Sequence, residues 1–173
     1  MDYAIAIIIV IILIFIIIVI KKFNTITYLN KKVEQAESNI DIFLKRRYDM
    51  LTNLQEVVKG YAKHEKEISV EIAKIRSKMT IKDKEKTNKK MDESYNKLNM
   101  IIENYPKLSA SENYKQLQES IVDCEDNLTA ARRIYNSNVN DYNVYIGQFP
   151  NVFIAKILDY KERDFFDYNE ENK

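Results

Sequence analysis

The stretch YAIAIIIVIILIFIIIVI, residues 3–20, is an uninterrupted apolar run that decides how the rest of the chain is arranged. At a rise of 1.5 Å per residue, a helix over this run is roughly 27 Å long, close to the hydrocarbon thickness of a bilayer. The run lacks the basic leader and the small-residue cleavage site of a signal peptide. The sequence therefore predicts an uncleaved transmembrane anchor over residues 1–22. The residues that flank its membrane-spanning part are Tyr3, Ile20, Lys21 and Lys22.

Charges next to the run predict how the anchor is oriented. The short N-terminal side carries Asp2 and no Lys or Arg, whereas the other side continues with Lys21, Lys22, Lys31 and Lys32. Because cationic flanks stay in the cytoplasm, we expect a single-pass protein of the cell membrane. Its N-terminus would lie outside and the larger part of the chain in the cytoplasm. The extracytoplasmic orientation stays open as the alternative.

The composition predicts an all-α protein. Only two glycines and two prolines occur among 173 residues, which is typical of long helices and not of turn-rich β architectures. The formal net charge of +1 argues against a generic nucleic-acid binder, so we expect no nucleic-acid partner. Cys124 is the single cysteine, which excludes an internal disulfide and a multi-cysteine metal site.

A seven-residue apolar period follows the anchor. Its apolar positions are Val33, Ile40, Leu54, Tyr61, Ile68 and Ile75, with Ala36, Phe43, Met50 and Val57 three residues after theirs. This period predicts one amphipathic helix over residues 24–79 that runs directly out of the membrane helix. Arg47 occupies a position where the pattern expects an apolar residue. Residues 80–92 lose the period and are rich in lysine, so we interpret them as a solvated loop or a frayed helix end.

The second half of the chain predicts a shorter helix and then a long one. The shorter helix has an apolar face within residues 91–105 and ends at Pro106, which lacks an N–H group. Ser109 and Glu112 have the spacing of a capping box, so we expect the long helix to begin there. Its heptad positions are Tyr114, Ile121, Leu128, Tyr135, Tyr142 and Phe149, with Leu117, Cys124, Ala131 and Tyr145.

These stripes together predict the architecture. Residues 152–158 form a predicted short final helix, and residues 161–173 an acidic C-terminal tail. Because a single amphipathic helix cannot bury its own apolar face, the helices must pack on one another. We therefore expect an antiparallel three- or four-helix bundle with two long helices over residues 23–160, attached to the transmembrane helix.

Several stretches resemble the LemA family of bacterial membrane-anchored proteins. The longest is KRRYDMLTNLQEVVKGYAKHE, residues 45–65, and others are NYPKL (104–108), AARRIYN (130–136), DYN (141–143) and QFP (148–150). The resemblance implies a membrane-attached helical bundle and no established enzymatic activity. Thr52 stands where the family usually has a proline, so the kink of a proline is not expected there. Glu37 stands where a tryptophan is common.

Polar residues on or beside the two long seams form the candidate site. They are Arg46, Arg47, Asp49 and Asn53 in the first helix and Tyr135, Asn138 and Tyr142 in the second. We interpret Arg47 as a seam residue that pairs with an acid or a tyrosine hydroxyl of the second long helix and fixes the register. We also expect Arg47 to meet the tyrosine and asparagine layer. The alternative is that the Arg47 face binds a partner or an anionic headgroup.

The remaining candidates are two lone residues and one basic segment. His64 lacks the further ligands that a metal site needs, and Cys124 fits a small buried residue, so we expect no metal, cofactor or catalytic residue. Residues 74–90, here the Lys-rich segment, hold eight Lys or Arg against Asp83 and Glu85, a net charge of +6. A solvated loop is our default interpretation of this segment.

The leading hypothesis is a non-enzymatic scaffold or adaptor at the membrane. Its expected partners are the lipid bilayer and a protein of unknown identity, and homo-oligomerisation stays open. One alternative is a lipid- or polyanion-binding module that uses the Lys-rich segment. A second is an enzyme with an unfamiliar polar site around Arg47, Asp49 and Asn53.

Overall fold

A single helix, α1 (Asp2–Tyr61), carries both the N-terminal apolar run and the first side of the bundle. The computed structural model describes residues 2–61, 70–76 and 79–166. At 60 residues, α1 is roughly 90 Å long. Among the described helices, α1 alone is long and apolar enough to span a bilayer, and none of its apolar window is buried in the protein. From Ile26 onward, by contrast, its seam residues enter the core.

The helix α1 ends well before the predicted boundary at residue 79. It continues through Thr52, whose hydroxyl donates a hydrogen bond to the Tyr48 carbonyl (2.9 Å), as expected without a proline. The structure describes α1 as far as Tyr61. Residues 70–76 are not helical, so the extension of the heptad to Ile75 is wrong. The predicted seam residue Ile68 lies outside the described residues.

The second helix, α2 (Ile81–Glu103), corrects the interpretation of residues 80–92 as a loop. Thr80 caps it: its hydroxyl accepts a hydrogen bond from the Asp83 N–H, and the Asp83 carboxylate accepts one from the Thr80 N–H. The first turns of α2 place polar side chains in the core, including Lys84 and Asn88. The sequence therefore shows no apolar period there. The described residues 70–76 lie between α1 and α2, and α2 runs parallel to α1.

The chain then turns through a short helix, α3 (Pro106–Ser109), into α4 (Glu112–Gly147). Pro106 stands in the first turn of α3, where its missing N–H costs nothing. The α4 cap is Ser111, whose hydroxyl accepts from the Tyr114 N–H (3.3 Å), so the capping box predicted at Ser109 and Glu112 is wrong by two residues.

Helix α4 packs antiparallel to α1 over most of the bundle, as predicted. The Cys124 thiol donates to the Phe43 carbonyl (3.6 Å), and the Asn138 amide donates to the Lys32 carbonyl (3.5 Å). The buried side chains of α4 repeat at three and four residues and include Ile121, Cys124, Leu128, Ala131, Tyr135, Val139, Tyr142 and Ile146. The all-α class and the bundle with a long N-terminal apolar helix are confirmed.

The last elements fold back over α4. Phe149, predicted on the seam, is 82% exposed because α4 ends at Gly147. Helix α5 (Asn151–Ile157) follows, and Asp159, at φ 55°, takes the left-handed conformation that often ends a helix. Residues 160–166, here the C-terminal strap, then lie along α4 in a non-helical conformation. The folded unit thus extends past the predicted boundary at residue 160 to at least Phe166, which is buried.

Candidate functional site

Arg47 lies at the meeting point of three helices. Its side chain is 4% exposed. Nη1 donates to Asn88 Oδ1 (2.6 Å), and Nη2 donates to Asp92 Oδ1 (2.6 Å), both on α2. Nη2 also lies 2.9 Å from Glu125 Oε2 on α4. Two carboxylates thus neutralise one guanidinium, and the cluster can fix the register of α1, α2 and α4 together.

A second buried cation, Lys84, lies between α1 and α2, nearer the N-terminal apolar run. Its ammonium donates to Glu37 Oε1 (2.8 Å) and lies 2.7 Å from Asp41 Oδ1. Glu37, in place of the tryptophan common in the LemA family, therefore has a buried partner. Sequence reasoning missed Lys84, although it precedes Met91 and Leu98 at intervals of seven residues.

The other polar residues predicted near Arg47 do not join its cluster. Arg46, Asp49 and Asn53 are exposed, because they face away from the seam that Arg47 occupies. Asp49 lies on the wall of an open groove of about 410 Å³ between α1 and residues 74–76. Its lining includes Asp41, Lys45, Tyr48, Asp49, Lys74 and Arg76, and we call it the α1 groove.

The expected meeting of Arg47 with Tyr135, Asn138 and Tyr142 is wrong. Because α1 and α4 are antiparallel and Asn138 pairs with Lys32, this layer lies opposite the early part of α1. Lys32 and Arg47 are 15 residues apart, which is roughly 22 Å along the helix. The tyrosine hydroxyls bind the C-terminal strap instead.

Two tyrosine–asparagine pairs, seven residues apart on α4, hold the C-terminal strap. The Tyr135 hydroxyl donates to the Asp164 carbonyl (2.8 Å), and the Tyr142 hydroxyl donates to the Lys161 carbonyl (3.0 Å). Asn136 exchanges two bonds with the Phe166 backbone: its amide donates to the carbonyl (2.9 Å), and its oxygen accepts from the N–H (2.8 Å). 

Asn143 makes the same paired bonds with the Arg163 backbone, at 2.9 Å each. Because the strap is neither a helix nor a sheet strand, its backbone groups need other partners, and these four side chains hydrogen-bond to them. The signal for this role was the repeated Tyr-Asn dipeptide in AARRIYN and DYN.

The C-terminal strap also reaches the part of α1 that directly follows the apolar run. The Arg163 guanidinium donates to Asn30 Oδ1 (2.9 Å) and lies 3.7 Å from the Glu34 carboxylate. The hydroxyls of Thr27 and Tyr160 share a hydrogen bond of 3.2 Å. The strap therefore joins the first and last parts of the chain.

Burial determines the ionisation of the groups inside the bundle. It raises the pKa of the Tyr135 and Tyr142 hydroxyls and of the Cys124 thiol above their usual values. The buried thiol is thereby held in its unreactive, protonated form. Within the described part of the chain, no group of three or more His, Cys, Asp or Glu is placed to hold a metal ion. His64 lies outside the described residues.

The Lys-rich segment is divided between the core and the surface. Lys84 is buried, whereas Lys74, Arg76, Lys86 and Lys90 line an open groove of about 550 Å³ between residues 71–76 and α2. Glu71 and Asp83 line the same groove, here the basic groove, so its charge remains positive.

Comparison with known proteins gives a consistent result over most of the chain. The LemA family model matches residues 36–173. A relative named Protein LemA, from Metamycoplasma hominis, is 32% identical over 133 residues, which cover 74% of this chain and 61% of the relative. Magnetosome protein MamQ of Magnetospirillum gryphiswaldense is 33% identical over 70 residues, 40% of this chain and 26% of that protein.

The chain therefore spans less than two thirds of each of these relatives. The anchor precedes the matched region, and α2, α4 and the C-terminal strap up to Phe166 lie within it. On the family match and the Metamycoplasma relative together, the chain belongs to the LemA family.

Proposed function

We propose that this protein is a membrane-tethered scaffold or adaptor without catalytic activity, whose bundle presents a partner-binding face. The observation that carries the proposal is that the fold uses the charge of Arg47 internally. Arg47 is buried and engages Asn88, Asp92 and Glu125, so its charge serves helix packing. Because α1 continues without a break from the anchor into the bundle, it holds the bundle surface at a defined height above the bilayer.

The α1 groove is the face best suited to a protein partner. It combines cations from Lys45 and Lys74, an anion from Asp49, and the ring of Tyr48, which the Lys74 ammonium approaches at 5.9 Å from its centroid. Mixed charge around an aromatic ring is typical of the polar rims and aromatic anchors of protein interfaces. With α1 perpendicular to the bilayer, the groove lies roughly 40 Å above Ile20.

Site-specific photo-crosslinking of the full-length protein in its own membranes tests this assignment. A photoreactive residue at Asp49 should trap a protein partner, and the same residue at Asp126, exposed on α4, should not. Reversing the groove charges with Lys45→Glu should reduce the crosslink at position 49. The same products from positions 49 and 126, or no product from position 49, would contradict a partner face at the α1 groove.

We further propose that the bundle faces the cytoplasm, supported by Lys21 and Lys22 after the apolar run. Protease added to intact spheroplasts should leave the bundle uncut and should digest it only after the membrane is permeabilised. Digestion in intact spheroplasts would establish the opposite orientation.

A second candidate function, polyanion binding, is favoured by the basic groove. Lys74, Arg76, Lys86 and Lys90 converge there, whereas Glu71 and Asp83 supply only two opposing charges. Lys84, at the start of the same helix, contacts Glu37 and Asp41, which lie roughly 25–30 Å beyond Ile20 along α1. This distance exceeds the Debye length of about 8 Å, so the bilayer that holds an upright anchor is not the partner.

Binding of polyphosphate to the full-length protein in nanodiscs of neutral lipid tests this candidate. Affinity should fall as salt rises, and Lys86→Glu with Lys90→Glu should weaken it at least tenfold. The matched control is Lys107→Glu with Lys115→Glu, two exposed lysines at the other end of the bundle. Equal losses in the two variants, or no binding at low salt, would dismiss the basic groove as a site.

A further inference from the structure

An exposed apolar stripe lies where α4 passes into α5. Phe149 and Ile157 are each 82% exposed, Phe153 is 58% exposed and Leu158 is 42% exposed. The rings of Phe149 and Phe153 contact each other edge to face, with centroids 6.0 Å apart. Phe153 and Ile157 are four residues apart and share one face of α5, whereas Ala155 is buried on the core side. We call Phe149, Phe153, Ile157 and Leu158 the apolar corner.

The apolar corner lies at the height at which the membrane helix emerges. The Lys22 ammonium is 5.5 Å from the centroid of the Tyr145 ring, which fixes the level of that part of α4 against α1. Asn138 lies opposite Lys32, so Gly147, nine residues farther along α4 and the last residue of that helix, lies near the level of Phe23 on α1. Phe149 follows the end of α4 by two residues and so lies near the level at which the apolar run ends, at Ile20. The chain returns past α5 to meet α1 again at Thr27, through Tyr160.

We propose that the apolar corner inserts into the headgroup and acyl boundary of the bilayer that holds α1, as a second contact of the protein with the membrane. Apolar side chains gain free energy on leaving water, and those at bilayer level beside a membrane helix have lipid within reach. Lys21 and Lys156 are exposed near this end of the bundle and can meet lipid phosphates. The inference does not depend on the proposed scaffold function.

Size and position distinguish the bilayer from a second copy of the chain as the occupant. A stable protein interface buries about 1,200–2,000 Å² in total, more than four side chains at one corner supply. The corner also lies near the level at which the apolar run ends, where a bilayer around that run would be within reach. Insertion at two points, α1 and the corner, would fix the tilt of the bundle relative to the membrane plane.

Spin labels on the full-length protein in vesicles of phosphatidylcholine and phosphatidylglycerol test the proposal. A nitroxide is attached to Phe149→Cys or, separately, to Ile157→Cys, and its collisions with oxygen and with a water-soluble nickel chelate are measured. Met100→Cys, 67% exposed on α2 near the far end of the bundle, is the matched control. Native Cys124 is fully buried, and unsubstituted protein treated with the label gives the blank.

We expect the ratio of oxygen to nickel collisions to be several-fold higher at positions 149 and 157 than at position 100. Because both corner residues are exposed, their substitution leaves the core intact. Equal nickel access at all three positions would overturn the proposal. Spin–spin broadening at position 149 that disappears on dilution with unlabelled protein would also overturn it, because the occupant would then be a second copy.

Discussion

Replacing Arg47 with methionine should destabilise the bundle by removing the cation from a cluster with two carboxylates. Breaking a fully buried ion pair from one side costs about 3–5 kcal/mol, because the remaining charge is left without a partner. Here the side chains of Asp92 and Glu125 keep 34% of their surface exposed, so water can solvate part of each remaining charge. We therefore expect a loss of about 2–3 kcal/mol in the free energy of unfolding.

For a chain of this size, that loss corresponds to a fall in Tm of about 4–12 °C. The measurement is thermal and urea unfolding of full-length protein in detergent micelles, followed by circular dichroism. Arg46→Met is the matched control: Arg46 is the adjacent arginine and is exposed, so its replacement should change stability by less than about 0.5 kcal/mol. If Arg47→Met changed the free energy of unfolding as little as Arg46→Met does, the claim that this cluster holds the three helices in register would be refuted.

Further predictions concern the second buried cation and the C-terminal strap. Lys84→Met should cost about 1–3 kcal/mol in unfolding experiments, because Glu37 and Asp41 then face each other without a cation, although both retain solvent. Asn136→Ala with Asn143→Ala removes four hydrogen bonds to the strap, each worth about 1 kcal/mol, and should speed tryptic cleavage of the strap at least tenfold. Burial raises the pKa of the Tyr135 and Tyr142 hydroxyls. Their contribution to the free energy of unfolding is therefore complete below about pH 10 and is lost as the pH rises above it. With phenylalanine at both positions, the free energy of unfolding should fall less between about pH 10 and 12.

Matched controls separate these effects from general damage to the helices. Lys82→Met changes an exposed lysine two residues before Lys84 and should be neutral. Asn140→Ala changes an exposed asparagine of α4 between the two strap-binding ones and should leave tryptic cleavage unchanged. If Lys82→Met matched Lys84→Met, the buried ion pair would lose its assigned role. If Asn140→Ala matched the double variant, the hydrogen bonds of Asn136 and Asn143 would lose theirs.

The fold could be predicted where apolar residues carry the period. The heptad of α4 is buried as predicted from Ile121 to Tyr142, and the apolar run forms the exposed start of α1. The prediction from the apolar period was wrong between α1 and α2. Ile75 has the correct spacing but packs on the core from a non-helical segment, whereas Lys84 and Asn88 occupy core positions that an apolar pattern cannot reveal.

The candidate site was predictable only in part. A charge in an apolar seam identified Arg47 as a buried residue, because an arginine there needs partners. Two of its partners, Asn88 and Asp92, could not be found, since the helix that carries them was interpreted as a loop. The strap was interpreted as an acidic tail, because its attachment depends on backbone groups that leave no pattern in its own sequence.

Helix α1 runs without interruption from the apolar run into the bundle, so the number of residues between them determines how the bundle is placed relative to that run. Each residue of a helix turns the chain by about 100° and advances it by 1.5 Å. One extra residue between Ile20 and Ile26 would rotate every face of the bundle by about 100° around the axis of the apolar run, and the lipid contact that we propose for the apolar corner would be lost. Seven extra residues would return the rotation of the bundle to within about 20° of its original value and would raise the bundle by about 10 Å. Insertions of different length can therefore change the height of the bundle and its rotation about the α1 axis separately.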